Sequence, residues 1–439
     1  MSLLSIIYKV KSTTTWLIRG VVVFFIYIAL KNFIPQHLVS STSVAVIEPA
    51  TGEDSVAASF SRVAFEVAFE MANDEAGLFQ GQIDVVAVGT TPSNESDAAA
   101  IRKALIENDV EAIFGCATSA CVRLITPIAE ELQIPFFYPH PHEGLVSSRY
   151  AFFLGPLPNQ HLVPATLWAL EKYGPRVHIA GANTVYSRVL GEIARDTVIT
   201  AGGHITGEHY YGTDHGTISA VPEAWTTATT DFVINLADDE TLINLMKLAS
   251  VERAGLQRPP HILMNLDSAL IEDVGRYSLV GHYFVSPYPQ NFDTGPLGQF
   301  QQRWASKMGG ARTPGASEVA AFMAVRLWST ALRNSPTRKP TGVIAALNDL
   351  RIDTGEAIGT VSFERNQHYL DHRQFILKIL AGDEFKLVSS ERKPIKPAIY
   401  PVSRSKQYWA ELIEQLRQET SDTWVFEEQL IIGPTGNGA

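Results

Sequence analysis

The chain has 439 residues, 46% hydrophobic and 18% charged, with a formal charge of −11. This composition excludes a disordered chain, and the acidic balance without clustered Lys or Arg excludes a nucleic-acid partner. Its two cysteines, Cys116 and Cys121, exclude a disulfide framework and a four-cysteine zinc site; they read as two small buried thiols. At roughly 150 residues per domain the length predicts two or three units, with two lobes expected.

Near the amino terminus Lys9, Lys11 and Arg19 precede the apolar run 20–30, GVVVFFIYIAL. The run matches a signal-peptide core and falls short of the roughly 20 residues needed to span a bilayer. A small-residue cleavage site at 39–41 lies some distance beyond it, so an uncleaved anchor over 14–34 stays open. Positive charges ahead of the run place the rest of the chain outside the cytoplasm.

From Val44 strands alternate with helices. The pattern predicts strands at 44–47, 83–88 and 112–114, and helices at 59–76 and 96–107, the second capped by Ser96. Repeated units of this length imply a parallel sheet with right-handed crossovers. The stretch 112–144 continues with a small-residue turn, an amphipathic helix to Leu132, a strand ending at Tyr138 and a loop of prolines and histidines. Side chains there, at the carboxyl ends of parallel strands and beside a helix start, face the crevice where open α/β sheets bind ligands.

A Pro- and Gly-rich crossing at 154–160 leads to a second α/β lobe. Its helices are expected at 162–173, 185–201 and 240–251, and its strands at 177–180, 232–236 and 261–265. A return crossing at 283–288 precedes helices at 300–308 and 318–332 that complete the first lobe. Strands follow at 361–363, 374–380 and 385–388, then a helix at 407–418 and an extended Gly-rich end.

No metal motif emerges: His140, His142 and Glu143 share a loop, and His204, His209 and His215 are scattered. The nucleophile elbow, the P-loop and the dinucleotide fingerprint are all missing. Glu143 beside His140 and His142 is the one cluster suggestive of catalysis. What remains is a polar and aromatic set at strand ends: Ser119, Tyr138, His140 and, in the second lobe, Tyr186. Tyrosines bring a flat apolar face and a hydroxyl, suited to a small ligand held between lobes. Plainer readings accompany each: an N-cap for Ser119, a core aromatic for Tyr138, a loop histidine for His140 and a packing residue for Tyr186.

At these residues the chain resembles the amide- and urea-binding branch of the type I periplasmic binding proteins. The likeness rests on Gly115-Cys116 followed by Ser119, on YPHPHEG at 138–144, and on GPLPNQ at 155–160. Tyr186-Ser187-Arg188, VSPY at 285–288 before Asp293-Thr294, and Asn366-Gln367-His368 keep the same order, so it covers roughly 44–401. The branch includes the ligand-sensing regulator of the aliphatic amidase operon and the binding subunits of urea and short-chain amide ABC transporters.

The resemblance implies an α/β fold of two lobes, each a doubly wound, mostly parallel sheet with helices on both faces, joined by a hinge of crossing strands. It assigns 1–42 to a signal peptide or membrane anchor, 43–158 and 286–335 to lobe 1, 159–285 and 336–401 to lobe 2, and 402–439 to a C-terminal extension. Ser119, Tyr138 and Tyr186 match ligand-contacting positions. Ala117 replaces an aromatic residue of the regulator and enlarges the expected pocket; His140 adds a group titrating near physiological pH, so affinity is expected to vary between about pH 5 and 8. A larger or carboxylate-bearing nitrogen compound fits the same residues. The expected role is non-enzymatic capture of an amide, urea-like or amino-acid-like ligand for an ABC permease, without metal or cofactor and with a homodimer left open. The rival is a membrane-anchored ligand sensor with a regulatory partner.

Overall fold

Parallel strands need long crossovers, and here nearly every crossover carries a helix with an apolar face toward a sheet. The computed structural model describes residues 41–434 apart from 49–55, 77–80, 90–93, 213–217, 219, 228, 252–257, 290–294, 311, 355–357, 364–367, 382–383, 392, 422–423, 425 and 427–428. The expected signal or anchor, and the motif residues Asp293, Thr294, Asn366 and Gln367, therefore lie outside the described residues.

Strands β1 (Thr42–Ile47), β2 (Ile83–Val88), β3 (Ala112–Gly115), β4 (Phe136–Tyr138) and β5 (Ala151–Phe153) form one parallel sheet in the order β2-β1-β3-β4-β5. Helices α1 (Val56–Ala76), α2 (Glu95–Glu107) and α3 (Ser119–Leu132) connect its first four strands. Alternation decides what covers each face: Val44 and Val46 point toward α1, whereas Ala45 and Ile47 point toward α2 and α3.

The second sheet is larger. β6 (Arg176–Ala182), β7 (His204–Tyr211), β8 (Phe232–Leu236), β9 (His261–Leu263) and β10 (Tyr283–Ser286) are its parallel strands. A two-stranded hairpin, β11 (Ile352–Asp353) and β12 (Thr360–Val361), lies apart from both sheets. Antiparallel β13 (Phe375–Ile379) and β14 (Phe385–Ser390) extend one edge of the second sheet and β15 (Leu430–Ile432) the other, in the order β14-β13-β10-β9-β8-β6-β7-β15. α4 (Leu162–Tyr173) and α5 (Val185–Thr200) cover one face. α6 (Asp239–Val251) and the short α7 (Ile271–Val274) and α8 (Arg276–Leu279) cover the other. α9 (Gly295–Lys307) and α10 (Ala316–Asn334) return to pack on α1, so one apolar cluster runs from the α1 face of the first sheet into the α6 face of the second.

Several local expectations change. β5 and β7 were not expected: β5 is only three residues long, and β7, HITGEHYY, hides its pairing behind polar residues and a glycine at φ +155. Helix α11 (Pro340–Asp349) was read through because Pro340 and Gly342 resemble loop signals, yet Pro340 occupies the first turn, where its missing N–H has no partner to lose. α11 packs on α10, although 336–349 was grouped with the second lobe. The cap of α2 is Asn94, whose side chain accepts from Asp97 N at 3.0 Å, and not Ser96.

The hinge explains the GPLPNQ motif. Gly155 lies where a Cβ would sit 1.9 Å from the His140 carbonyl oxygen, so only glycine lets these two segments meet. Gln160 Nε2 donates to the Leu370 and Ile395 carbonyls, both at 2.8 Å, while its Oε1 accepts from Leu157 N at 2.8 Å. Asn159 does the same for Lys396 O and Ala398 N at 2.8 and 2.9 Å. The first crossing is thereby sewn to the third. Gln160→Leu strands the buried Leu370 carbonyl and the Leu157 N–H and removes one of the two donors to Ile395 O, which keeps His372 N at 3.2 Å; it is expected to lower stability by about 2–4 kcal/mol in urea titrations.

Candidate functional site

In the first sheet the strand order reverses between β1 and β3, and in the second between β6 and β8. Ligands of open α/β sheets bind outside the carboxyl ends of strands at such points. Residues 116–119, 138–144, 183–186, 237–239 and 264–267 all follow strands toward this crevice.

The turn from β3 into α3 is built from two successive left-handed residues, Gly115 at φ +102 and Cys116 at φ +64. A Cβ on Gly115 would come within 2.3 Å of Ile47 O. This curl carries Cys116 back over the first helical turn, where it is disulfide-bonded to Cys121 with Cα atoms 5.7 Å apart. The two expected thiols are therefore a bridge, because backbone curvature supplies the separation that a straight helix start would not. The helix is capped by Thr118, which accepts from Cys121 N at 3.1 Å. Ser119, expected as the cap, lies one residue inside.

Ser119 has a different partner. Its hydroxyl donates to Glu143 Oε2 at 2.6 Å, and Arg123 Nη2 donates to Glu143 Oε1 at 2.6 Å. Glu143 is wholly buried. Burial pushes its carboxyl up, but opposing charge and hydrogen bonding outweigh it and hold the group below its ordinary range. His142 contributes little charge. Its Nδ1 accepts from Gly144 N at 3.0 Å and burial lowers its pKa to about 4, so it is neutral near pH 7. Arg123 and Ser119 are the effective partners. Both carboxylate oxygens are thus engaged.

Tyr138 is buried, its ring edge-on to His140, His142 and Phe153. His140 is half-buried, with Nδ1 3.1 Å from Ser317 Oγ. Burial lowers its pKa to about 4, so the imidazole is neutral between pH 5 and 8 and the expected titration of His140 in that window is replaced by a fixed neutral ring. Ala117 is exposed on the turn.

On the second lobe, Thr184 caps α5 and sets Tyr186 in the first turn. The Tyr186 hydroxyl lies 3.1 Å from Asn265 Oδ1 and 3.3 Å from His161 Nε2. His161 Nδ1 faces the Leu157 carbonyl at 2.8 Å and must donate to it. With the imidazole neutral, its pKa lowered to about 4 by burial, Nε2 is an acceptor. One phenol proton thus serves two acceptors, and the lone pairs of the Tyr186 oxygen are left to accept.

Asp238, directly after β8, was missed by the sequence reading, although an Ala-Asp-Asp step from an apolar strand into a helix was a usable signal. Its carboxyl makes no ion pair among the described residues. Burial and the neighbouring Asp239 raise its pKa to about 7. Burial raises the pKa of both Tyr138 and Tyr186, and the charges of Glu143 and Asp238 add to it at each, which brings the two lobes' tyrosines into one electrostatic site. Also missed was Asp267, which accepts from Ala316 N and Ser317 N at 3.0 and 3.1 Å and so caps α10.

Two sheets joined by a sewn hinge, with polar groups from both converging on one crevice, define a two-lobed solute-binding protein. The family profile described as periplasmic binding protein domain matches residues 42–406, and the chain belongs to that family. No curated protein matches the chain. Among solved structures it is similar to an ABC transporter substrate-binding protein from Sphaerobacter thermophilus, at 18% identity and TM-score 0.66 over 81% of this chain and 98% of that one. The branched-chain amino acid transporter substrate-binding protein of Streptococcus pneumoniae, in complex with isoleucine, has 15% identity and TM-score 0.66 over 82% and 100%. A solute-binding protein from R. palustris in complex with benzoate has 13% identity and TM-score 0.69 over 82% and 99%. Membership implies an extracytoplasmic location and a role in binding small ligands. Among the described residues no helix is long and apolar enough to cross a membrane.

Two outcomes follow. Arg123→Met leaves Glu143 buried without its cation and should cost about 3–5 kcal/mol in chemical denaturation. Burial holds His140, His142, His161, His178, His368 and His372 at pKa values of about 3 to 4. The unfolded chain takes up those protons near pH 6.5 while the native state refuses them, so stability falls as pH drops from about 6.5 to 4. The raised carboxyls Asp238, Asp267 and Glu318 slope the other way but are outnumbered. The melting temperature should decline across that window; a flat profile would contradict the histidine burial.

Proposed function

We propose that this protein captures a small nitrogen-bearing solute, an amide, urea-like or amino-acid-like compound, between its lobes and hands it to an ABC permease. The observation that carries this reading is the excess of acceptors at the crevice. Asp238 has no cation partner among the described residues, and Tyr186 has its proton committed and its lone pairs open. Arg123, the nearby cation, is held by Glu143. Acceptors of this kind complement N–H donors. With its pKa near 7 Asp238 is partly ionised at neutral pH, so an N–H donor favours its ionised form whereas a purely anionic ligand opposes it.

Ser119 supports the site indirectly, by holding the loop that carries His140, rather than by offering its hydroxyl. Ala117 leaves room at the turn. Tyr138 and Tyr186 supply apolar faces from the two lobes, and closure requires that the ligand contact both.

A screen of the protein against urea, short amides, amino acids and benzoate, read by thermal shift and calorimetry, tests the reading. A ligand at about 100 times its dissociation constant adds about 2.7 kcal/mol to the folded state. Binding of an amide, urea or amino acid is expected; binding of benzoate alone would overturn it. With the ligand in hand, Asp238→Asn should weaken affinity about tenfold or more, as the loss of a charge-assisted hydrogen bond does, while raising the denaturation midpoint at neutral pH, because burial disfavours the ionised carboxyl in the folded state.

A further inference from the structure

The chain beyond residue 406 lies past the family match. There the segment is fastened to the second lobe. Helix α12 (Lys406–Glu419) buries Trp409 and Leu416 in the core beneath α4 and α5. Just before it, Arg404 donates to both oxygens of Asp196 at 2.9 and 2.6 Å. Tyr408 reaches Glu192 at 3.2 Å and Arg188 reaches Glu419 at 3.4 Å. β15 then adds an antiparallel strand to the edge of β7.

Between these two anchors the chain touches the other lobe. The Trp424 ring lies 5.6 Å from the guanidinium carbon of Arg123, on α3 of the first lobe. Two residues later Phe426 is buried in the second-lobe core, with the Arg188 guanidinium 5.7 Å from its ring. Trp424 stands at φ +58, a left-handed conformation rare for a bulky residue and kept only where surrounding contacts impose it. The same Arg123 neutralises Glu143, which in turn takes the Ser119 hydroxyl.

The lobes also meet on the opposite side, where Asp267 caps α10 and Arg312 pairs with Asp273. We propose that Trp424 latches the first lobe to the second across the α3–α5 side of the crevice, with its ring on Arg123 as the releasable joint. If the lobes part, this joint breaks before α12 and β15 leave the second lobe, because they hold far more buried surface than one ring on one guanidinium. Through Arg123 the latch also touches the partners of Glu143, so its release and the setting of Glu143 and Ser119 are mechanically linked. The proposal concerns the resting arrangement of the lobes and stands whether or not the ligand assignment above is right.

Inter-lobe distances in the full-length protein, without ligand, test it. Cysteines placed at two exposed positions, Lys103→Cys on α2 and Ile199→Cys on α5, carry spin labels for pulsed dipolar measurements. Trp424→Ala should lower the closed-to-open ratio about threefold to thirtyfold, the range of one cation–π contact, and a longer-distance population should grow. Unchanged distances would overturn the proposal. Should that variant fold poorly, Trp424→Leu keeps apolar volume and removes the ring face; unchanged distances there overturn it equally.

Discussion

A carboxylate with no exposure to water sits at the wall of the crevice, and much of the first lobe's binding edge is arranged around keeping it ionised. Glu143 needs a cation and a hydrogen-bond donor, because an unpaired buried charge would cost several kcal/mol. Both come from the start of α3, Ser119 in its first turn and Arg123 four residues on. That pairing ties the loop after β4 to the helix after β3. It thereby sets Tyr138 and His140 against the crevice. The Cys116–Cys121 bridge and the left-handed turn before it hold the same helix start from the other side.

The crevice inherits its chemistry from what this network uses up. Arg123 belongs to Glu143, and the nearby histidines are neutral by burial. Asp238 therefore contributes a carboxyl that no cation among the described residues neutralises, beside Tyr186, whose proton is already committed. A binding protein gains selectivity from groups left unsatisfied until the right ligand arrives, since the wrong one leaves them so. The hinge works on the opposite principle: Asn159 and Gln160 spend both ends of their amides on backbone groups of the crossing segments.

Much of this was legible in the sequence, and for definite reasons. Helices such as α1, α3 and α4 carry apolar residues at helical spacing long enough to be read alone. Buried parallel strands such as β3 and β8 are short apolar runs bounded by turns. Of the proposed site, the placement of Ser119, Tyr138, His140 and Tyr186 after apolar strands was legible. Asp238 and Asp267 follow strands in the same way but read as solvated acids, since neither residue type nor spacing reports which carboxyl lacks a cation.

The sequence by itself determined the alternating strand-helix order, the two lobes, and the strand ends that open on the crevice, because periodicity and turn chemistry are local properties. Tertiary structure alone decided that Cys116 and Cys121 are bridged, that the Ser119 hydroxyl belongs to Glu143, that His140 stays neutral, and that Trp424 reaches across to Arg123. Each of those depends on distances between residues far apart in the chain, or on backbone curvature and burial, and these exist only once the sheets have formed and packed.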